Sequence, residues 1–237
     1  MNTSVIIQAR MGSKRLPEKS MAKLGKFRVI EWIFKRLKRC KKVDNIILAT
    51  TKEENDNVLC EVAKKNSIDL YRGSKDDVLK RYIDSSKFYK VENVVRVCAD
   101  RPFIDPELID LLVTDFRKLK YDLLYNHKSD NFNFWPVGFG AEIFKSKILD
   151  ELYEKKLNER FKEHVTLYLY KDKKYKTKCI NSSNGNRKLI EYGRFDLDTK
   201  SDLKKLDSFA KNILITDSFI KIINKFKKIK RKFGGLN

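Results

Sequence analysis

Residues 4–26 read SVIIQARMGSKRLPEKSMAKLGK. Val5-Ile6-Ile7 is a short apolar run of the kind that fills a strand buried on both faces. The pattern then breaks into a loop holding Gly12, Ser13 and Pro17, with Arg10, Lys14, Arg15 and Lys19 spread through it. Small residues let backbone N–H groups turn toward a ligand and the cations add charge, so a triphosphate is the natural guest. A solvated basic loop is the alternative. Position weighs against it, because charges that follow a buried strand at a strand-to-helix crossover lie where open α/β sheets bind ligands. Neither G-x-x-x-x-G-K-[ST] nor G-x-G-x-x-G is present.

Outward from this loop, short β-type runs alternate with amphipathic helices, the sign of a parallel sheet. The pattern predicts helices over Phe27–Cys40 and Glu53–Lys65, and strands over Asn45–Thr50, Asp69–Tyr71 and Asn93–Cys98. It also predicts a helix through Val78–Ile83 capped by Ser74, and another begun by Pro106. Leu123–Tyr125 and Gly138–Phe144 read as strands, with a helix after them to about Lys155, whereas residues 163–170 fit helix and strand equally. Thr177–Asn181 and Lys188–Asp196 flank the turn cluster SSNGN and predict a hairpin. Asp198–Ala210 and Asp217–Phe233 predict closing helices, the last stopped by Gly234-Gly235. In that tail Phe219–Phe226 is expected to pack, and KKIKRKF to stay solvated. The expected organisation is an α/β domain over residues 1–215 and a basic amphipathic helix and tail over 216–237. The domain is three-layered, with a mostly parallel sheet and a small dimerisation or lid insert at about 126–185.

Of the 237 residues 41% are hydrophobic, ample for a core, and no apolar run nears the roughly 20 residues that span a bilayer. No basic leader precedes Ser4, and Cys40, Cys60, Cys98 and Cys179 form no C-x-x-C pair. A reduced, cytoplasmic protein without a zinc site or disulfide framework is expected. The formal charge of +21 raises nucleic acid or an anionic membrane as partner. Lysines interleaved with acids over most of the chain favour exposed helix faces instead, so neither nucleic-acid binding nor stable membrane insertion is expected.

Two acidic segments can carry chemistry. Asp100 follows the Asn93–Cys98 strand and so shares a sheet edge with the first loop. A carboxylate there can hold a hard cation such as Mg²⁺, or can serve as an Asx-turn residue before Pro102; spacing leaves these two even. Asp196 and Asp198 alternate onto one face, where a cation between them would relieve their repulsion. Asp198 can equally be the cap of the helix that follows.

With these residues in view, the chain resembles the cytidylyltransferases that make CMP-activated sugars: CMP-Kdo synthetases, CMP-sialic acid synthetases and the spore-coat polysaccharide (SpsF-type) proteins. Their A-R-x-x-S-x-R-L-P-x-K signature is matched by Ala9, Arg10, Ser13, Arg15, Leu16, Pro17 and Lys19. Gln8 and Met11-Gly12 look most like the SpsF type. G-D-x-P is matched by Ala99–Pro102, with Ala99 for Gly, and V-D-T-x-x-D-L by Leu197–Leu203. G-S-x-D-D-V-L-x-R-Y is similar to Gly73–Tyr82, G-x-x-x-E-x-F to Gly138–Phe144, and R-E-H-V-T-x-Y to Lys162–Tyr168, with Lys162 for Arg. The resemblance runs from Val5 to about Leu206.

What it implies is a nucleotide-diphospho-sugar-transferase-like fold and Mg²⁺-dependent transfer of CMP from CTP to a sugar. That sugar would be acidic (Kdo- or nonulosonic-type) or a sugar or polyol phosphate, used for surface polysaccharide by a homodimer. By the same resemblance Arg10, Arg15 and Lys19 would hold the phosphates. Gln8, Ala9, Gly12, Ser13, Ser74, Asp77 and Arg81 would contact the nucleotide. Asp100 and Asp198 would hold the metal with Asp196 behind them, and Glu142 and His164 would meet the acceptor. His127 has no motif around it. The rival is a glycosyltransferase of GT-A type, in which Asp196-Leu197-Asp198 would be the D-x-D motif.

Overall fold

A computed structural model describes residues 2–13, 15–128, 135–180 and 194–232, with the backbone alone for 229–232. In chain order the first half gives β1 (Thr3–Gln8), a ribbon of β2 (Lys23–Leu24) and β3 (Phe27–Arg28), α1 (Val29–Leu37), β4 (Asn45–Thr51), α2 (Asn57–Lys65), β5 (Asp69–Gly73), α3 (Val78–Phe88) and β6 (Asn93–Cys98). The second half gives α4 (Pro106–Lys118), β7 (Leu123–Tyr125), β8 (Glu142–Lys145), α5 (Lys147–Glu154), α6 (Glu159–Glu163), β9 (Thr177–Cys179), α7 (Lys200–Ala210) and α8 (Phe219–Lys232).

The main sheet runs β5-β4-β1-β6-β8-β7-β9. Strands β5, β4, β1 and β6 run parallel to one another, as do β7 and β9, whereas β8 runs antiparallel to both β6 and β7. Val5, Ile6 and Ile7 have no exposed surface, as a central strand covered on both faces requires. Alternation sends Val5, Ile7, Leu48, Val95 and Val97 toward α1, α2 and α4, while Ile6, Ile47 and Val94 pack under α3 and α5. The chain runs from β1 outward to β4 and β5, then crosses back to β6 on the other side of β1. The order therefore reverses between β1 and β6, and their carboxyl ends open a crevice.

Several expectations shift. The helix expected from Phe27 starts at Val29, because Gly25 turns the chain at φ +59 and the β2–β3 ribbon forms first. Gly25 lies against Ala210, where a Cβ would come to 3.0 Å. Asp77, not Ser74, caps α3: its Oδ1 accepts from the Lys80 N–H at 2.7 Å, while Ser74 Oγ accepts from the Asp77 N–H one turn earlier. Residues 164–171 are turns after the short α6, neither of the regular alternatives. The segment read as an insert contributes β8 and β9 to the main sheet, so it is not set apart from it. Most of the expected hairpin (residues 181–193), residues 129–134, Lys14, Phe233 and Gly234-Gly235 lie outside the described residues. At the other end α8 packs Phe219, Ile222 and Ile223 into the core. No helix among the described residues is long and apolar enough to cross a membrane.

Candidate active site

The loop after β1 is tied down at its start, its middle and its end. Asp56, buried at the foot of α2, accepts from the Met11 N–H at 2.8 Å and from Thr50 and Thr51 at the end of β4. Burial would raise its carboxyl, but the bonds from Thr51, Met11 and Thr50 hold it below the ordinary carboxylate range. The Met11 carbonyl then accepts from the N–H groups of Ser13 and Glu18, and Leu16 is buried. Glu18 takes a left-handed conformation, φ 57, and starts the single 3-10 turn that presents Lys19. At Gly12 a Cβ would meet nothing within 4 Å, so nothing in the described protein demands glycine there. Close approach of a ligand to the backbone is what would.

Two carboxylates face this loop. Lys19 Nζ lies 3.9 Å from Asp100 Oδ2 and 3.5 Å from Asp198 Oδ1, and Arg15 pairs with Asp198 Oδ2. The Leu197 N–H donates to the Asp100 carbonyl at 2.7 Å, which fastens the two acidic segments together. Neither carboxylate serves in the local capping or turn role left open for it. Thr199 caps α7, in a reciprocal box with Asp202, so the Asp198 carboxylate is not used as a cap. No backbone N–H among the described residues bonds the Asp100 carboxylate, so it makes no Asx turn; its Oδ1 is buried and has no hydrogen-bond partner. Asp196 does not line the cleft and is gripped by Arg194 at 2.9 and 2.5 Å, which takes it from the D-x-D motif of the rival reading. Mg²⁺ takes one or two carboxylates and completes its shell with water and substrate phosphate oxygens, so a two-carboxylate site with an unsatisfied buried oxygen fits it. Among the described residues no group of three acids, histidines or cysteines offers a fuller cage.

These residues line a cleft of about 480 Å³, at the low end of the size range of small-molecule sites. Gln8, Ala9, Arg10, Gly12, Ser13, Arg15, Lys19, Asp100, His164 and Asp198 all face it. The Ala9 N–H is engaged by the Ala49 carbonyl at 3.3 Å, so it is not a free donor at the cleft. Ser74, Asp77 and Arg81 do not line it. Arg81 is buried and donates to the Ser74 carbonyl at 3.0 Å, so these residues shape the β5–α3 turn, against which Arg10 leans through the Lys75 carbonyl at 3.1 Å.

Glu142 does not line the cleft either. It sits 3% exposed on β8, directly across from Arg96 of β6, and Arg96 is the side chain that reaches the cleft. Arg96 Nη1 donates to Glu142 Oε2 at 2.8 Å and Arg96 Nε to Gln8 Oε1 at 3.3 Å. Thr166 donates to Glu142 Oε2 and Tyr170 to Oε1, both at 2.8 Å, and His127 Nε2 stands 3.6 Å from Oε1. Burial opposes the charge on Glu142, yet Arg96 and these bonds hold its carboxyl far below the ordinary range. Sequence reading passed over Arg96. The available signal was a lone cation inside the apolar run NVVRVC, where a buried charge needs a partner.

The model of the family described as Cytidylyltransferase matches residues 4–223. The chain is 37% identical over 167 residues to the uncharacterized protein MJ1063 of Methanocaldococcus jannaschii, covering 70% of this chain and 66% of that protein. It is 30% identical over 207 residues to the spore coat polysaccharide biosynthesis protein SpsF of Bacillus subtilis, covering 85% and 83%. A solved cytidylyltransferase from Leptospira borgpetersenii superposes with a TM-score of 0.88 at 30% identity, covering 100% of this chain and 98% of that one.

Proposed function

This chain belongs to the cytidylyltransferase family, and from that premise we propose that it transfers CMP from CTP to a sugar acceptor in surface-polysaccharide synthesis. An acceptor hydroxyl attacks the α-phosphorus in line. The new P–O bond forms as the bond to the bridging oxygen breaks, pyrophosphate leaves, and the hydroxyl proton passes to water. Such a reaction needs positioning and charge neutralisation more than a covalent nucleophile. Arg10, Arg15 and Lys19 hold the β- and γ-phosphates and carry the charge that develops on pyrophosphate. Gln8, Ala9, Gly12 and Ser13 lie against the nucleotide. Asp100 and Asp198 would hold Mg²⁺, which when bound supplies Lewis-acid neutralisation of phosphate oxygens. His164, exposed at the end of α6, stands at the acceptor side. A homodimer and a cytoplasmic setting complete the proposal.

The observation that carries this reading is the convergence of Lys19 on both Asp100 and Asp198. A lysine that neutralises two carboxylates can turn to a phosphate once a divalent cation takes its place. The test is pyrophosphate release from CTP across a panel of sugar acids and sugar phosphates, with Mg²⁺ titrated. Lys19→Ala and Arg15→Ala should each lose about a hundredfold in rate. Asp100→Asn and Asp198→Asn should raise the Mg²⁺ requirement, and the double variant should be little worse than either single one. Near-wild-type rates in the loop variants, or fully additive losses in the acidic pair, would sink the assignment.

A further inference from the structure

Arg96 is a charge on a buried strand, and the fold devotes Glu142, Gln8 and Thr166 to keeping it there. A guanidinium carries five N–H groups. Nε donates to Gln8, and Nη1 donates to Glu142 at 2.8 Å and to Thr166 at 3.5 Å. Nothing among the described residues accepts from Nη2, yet Nη2 is not one of the buried atoms left without a partner. It is therefore open to solvent, and the opening is the cleft that Arg96 lines. Stability alone does not account for this arrangement. A buried ion pair is commonly no better than an apolar pair of the same volume, and its neighbours Val94, Val95 and Val97 show what a structural residue on this strand looks like.

We propose that Arg96 reads an oxyanion on the acceptor, a carboxylate or a phosphate, with its Nη2 edge, and that Glu142 is the residue positioning it. The inference rests on the cytidylyltransferase reading and assigns the residue that would select an acidic acceptor over a neutral one. Guanidinium N–H pairs match carboxylate and phosphate oxygens better than they match hydroxyls. Placement separates this group from the triphosphate. Arg10, Arg15 and Lys19 stand on the loop beyond the end of β1, whereas Arg96 is paired in register with Ile6, well inside the strand. Arg96 lies within β6, whereas Asp100 lies in the turn beyond the end of that strand, so the two line different parts of the same cleft.

The experiment measures steady-state pyrophosphate release, with CTP binding followed separately by calorimetry. The acceptors are 3-deoxy-manno-octulosonate and N-acetylneuraminate for the carboxylate arm, glycerol 3-phosphate and ribitol 5-phosphate for the phosphate arm, and glucose and ribitol as neutral controls. One anionic arm should turn over and the neutral controls should not, and the arm that works identifies the oxyanion. Arg96→Lys keeps the charge and loses the guanidinium fork, the Nη2 edge and the 3.3 Å bond to Gln8 together. It should raise KM for that acceptor about 10- to 100-fold, and KM for CTP, which feels the change only through Gln8, by at least about fivefold less. Thr166→Val, a milder change that removes one bond to Glu142 and one from Arg96, should raise acceptor KM a few-fold and leave CTP untouched, and it serves if Arg96→Lys fails to fold. Equal rises for CTP and acceptor, neutral acceptors used as well as acids, or unchanged KM in both variants would overturn the proposal. CTP bound with no anionic acceptor used overturns it alone, whereas no CTP binding overturns the reading beneath it.

Discussion

His127 stands against the same carboxylate that holds Arg96, yet it is not a second cation there. Burial outweighs the attraction of Glu142 and drops the imidazole from 6.5 to about 3, so it is neutral at pH 7. Its unfolded form takes up a proton before the folded one does. The stability tied to neutral His127 is therefore complete above pH 6.5 and lost progressively as pH falls toward 3. Between pH 6.5 and 5 this loss should be on the order of 2 kcal/mol, or several degrees of melting temperature. His127→Gln, although less stable at pH 7.5, should melt with a flatter pH dependence over that window; parallel curves would show that His127 titrates normally in the fold. At this scale the sequence revealed the first-loop cations and both acids, because each is announced by its neighbours. It did not reveal Asp56, whose partner Met11 is 45 residues away, nor the pairing of Arg96 with Glu142, which exists only once β6 and β8 lie side by side.

Among the elements, α7 and α8 differ in how far local residues determine them. The Thr199–Asp202 box is local, so the start of α7 could be placed within two residues from sequence. In the sequence the apolar stripe of α8, Phe219, Ile222, Ile223 and Phe226, continues to Ile229 and Phe233. Phe219, Ile222 and Ile223 are buried, and Phe226 sets its ring 5.2 Å from those of Phe195 and Phe209. Truncation after Phe226 should leave pyrophosphate release and melting temperature almost unchanged, since lysine and arginine dominate the remaining turns. A large loss of either would mean that the final turns are part of the core. By contrast Phe226→Ala should destabilise by about 3 kcal/mol, because it removes an aromatic ring from a packed cluster. The stretch at 163–170 was illegible because its turns are held by tertiary contacts, Thr166 and Tyr170 to Glu142 among them, and not by any period of its own.

For the whole molecule, the sheet and its crevice followed from the alternation of strands and helices, while the course of the chain after Tyr125 did not. A three-residue β7 and an antiparallel β8 carry too little pattern to reveal their neighbours. One buried side chain links the two ends of the molecule. Arg36 on α1 donates to the carbonyls of Ile104 at 2.6 Å, Ile215 at 2.9 Å and Asp217 at 2.9 Å, while Asp105 accepts from the Phe219 N–H at 2.5 Å. A chain ending at Leu214 should therefore fail to reach a protease-resistant state, unlike one ending at Phe226; comparable resistance in the two would show that these bonds are dispensable. The separation of 179 residues between Arg36 and Ile215 also has a meaning in time. At about 5–20 residues per second, a ribosome delivers the second partner roughly 10–35 s after the first. Until then the guanidinium and the aromatic cluster beside it have no closed interior to occupy. The core around Arg36 therefore cannot close until Ile215 and Asp217 have been made, however early the first strands pair.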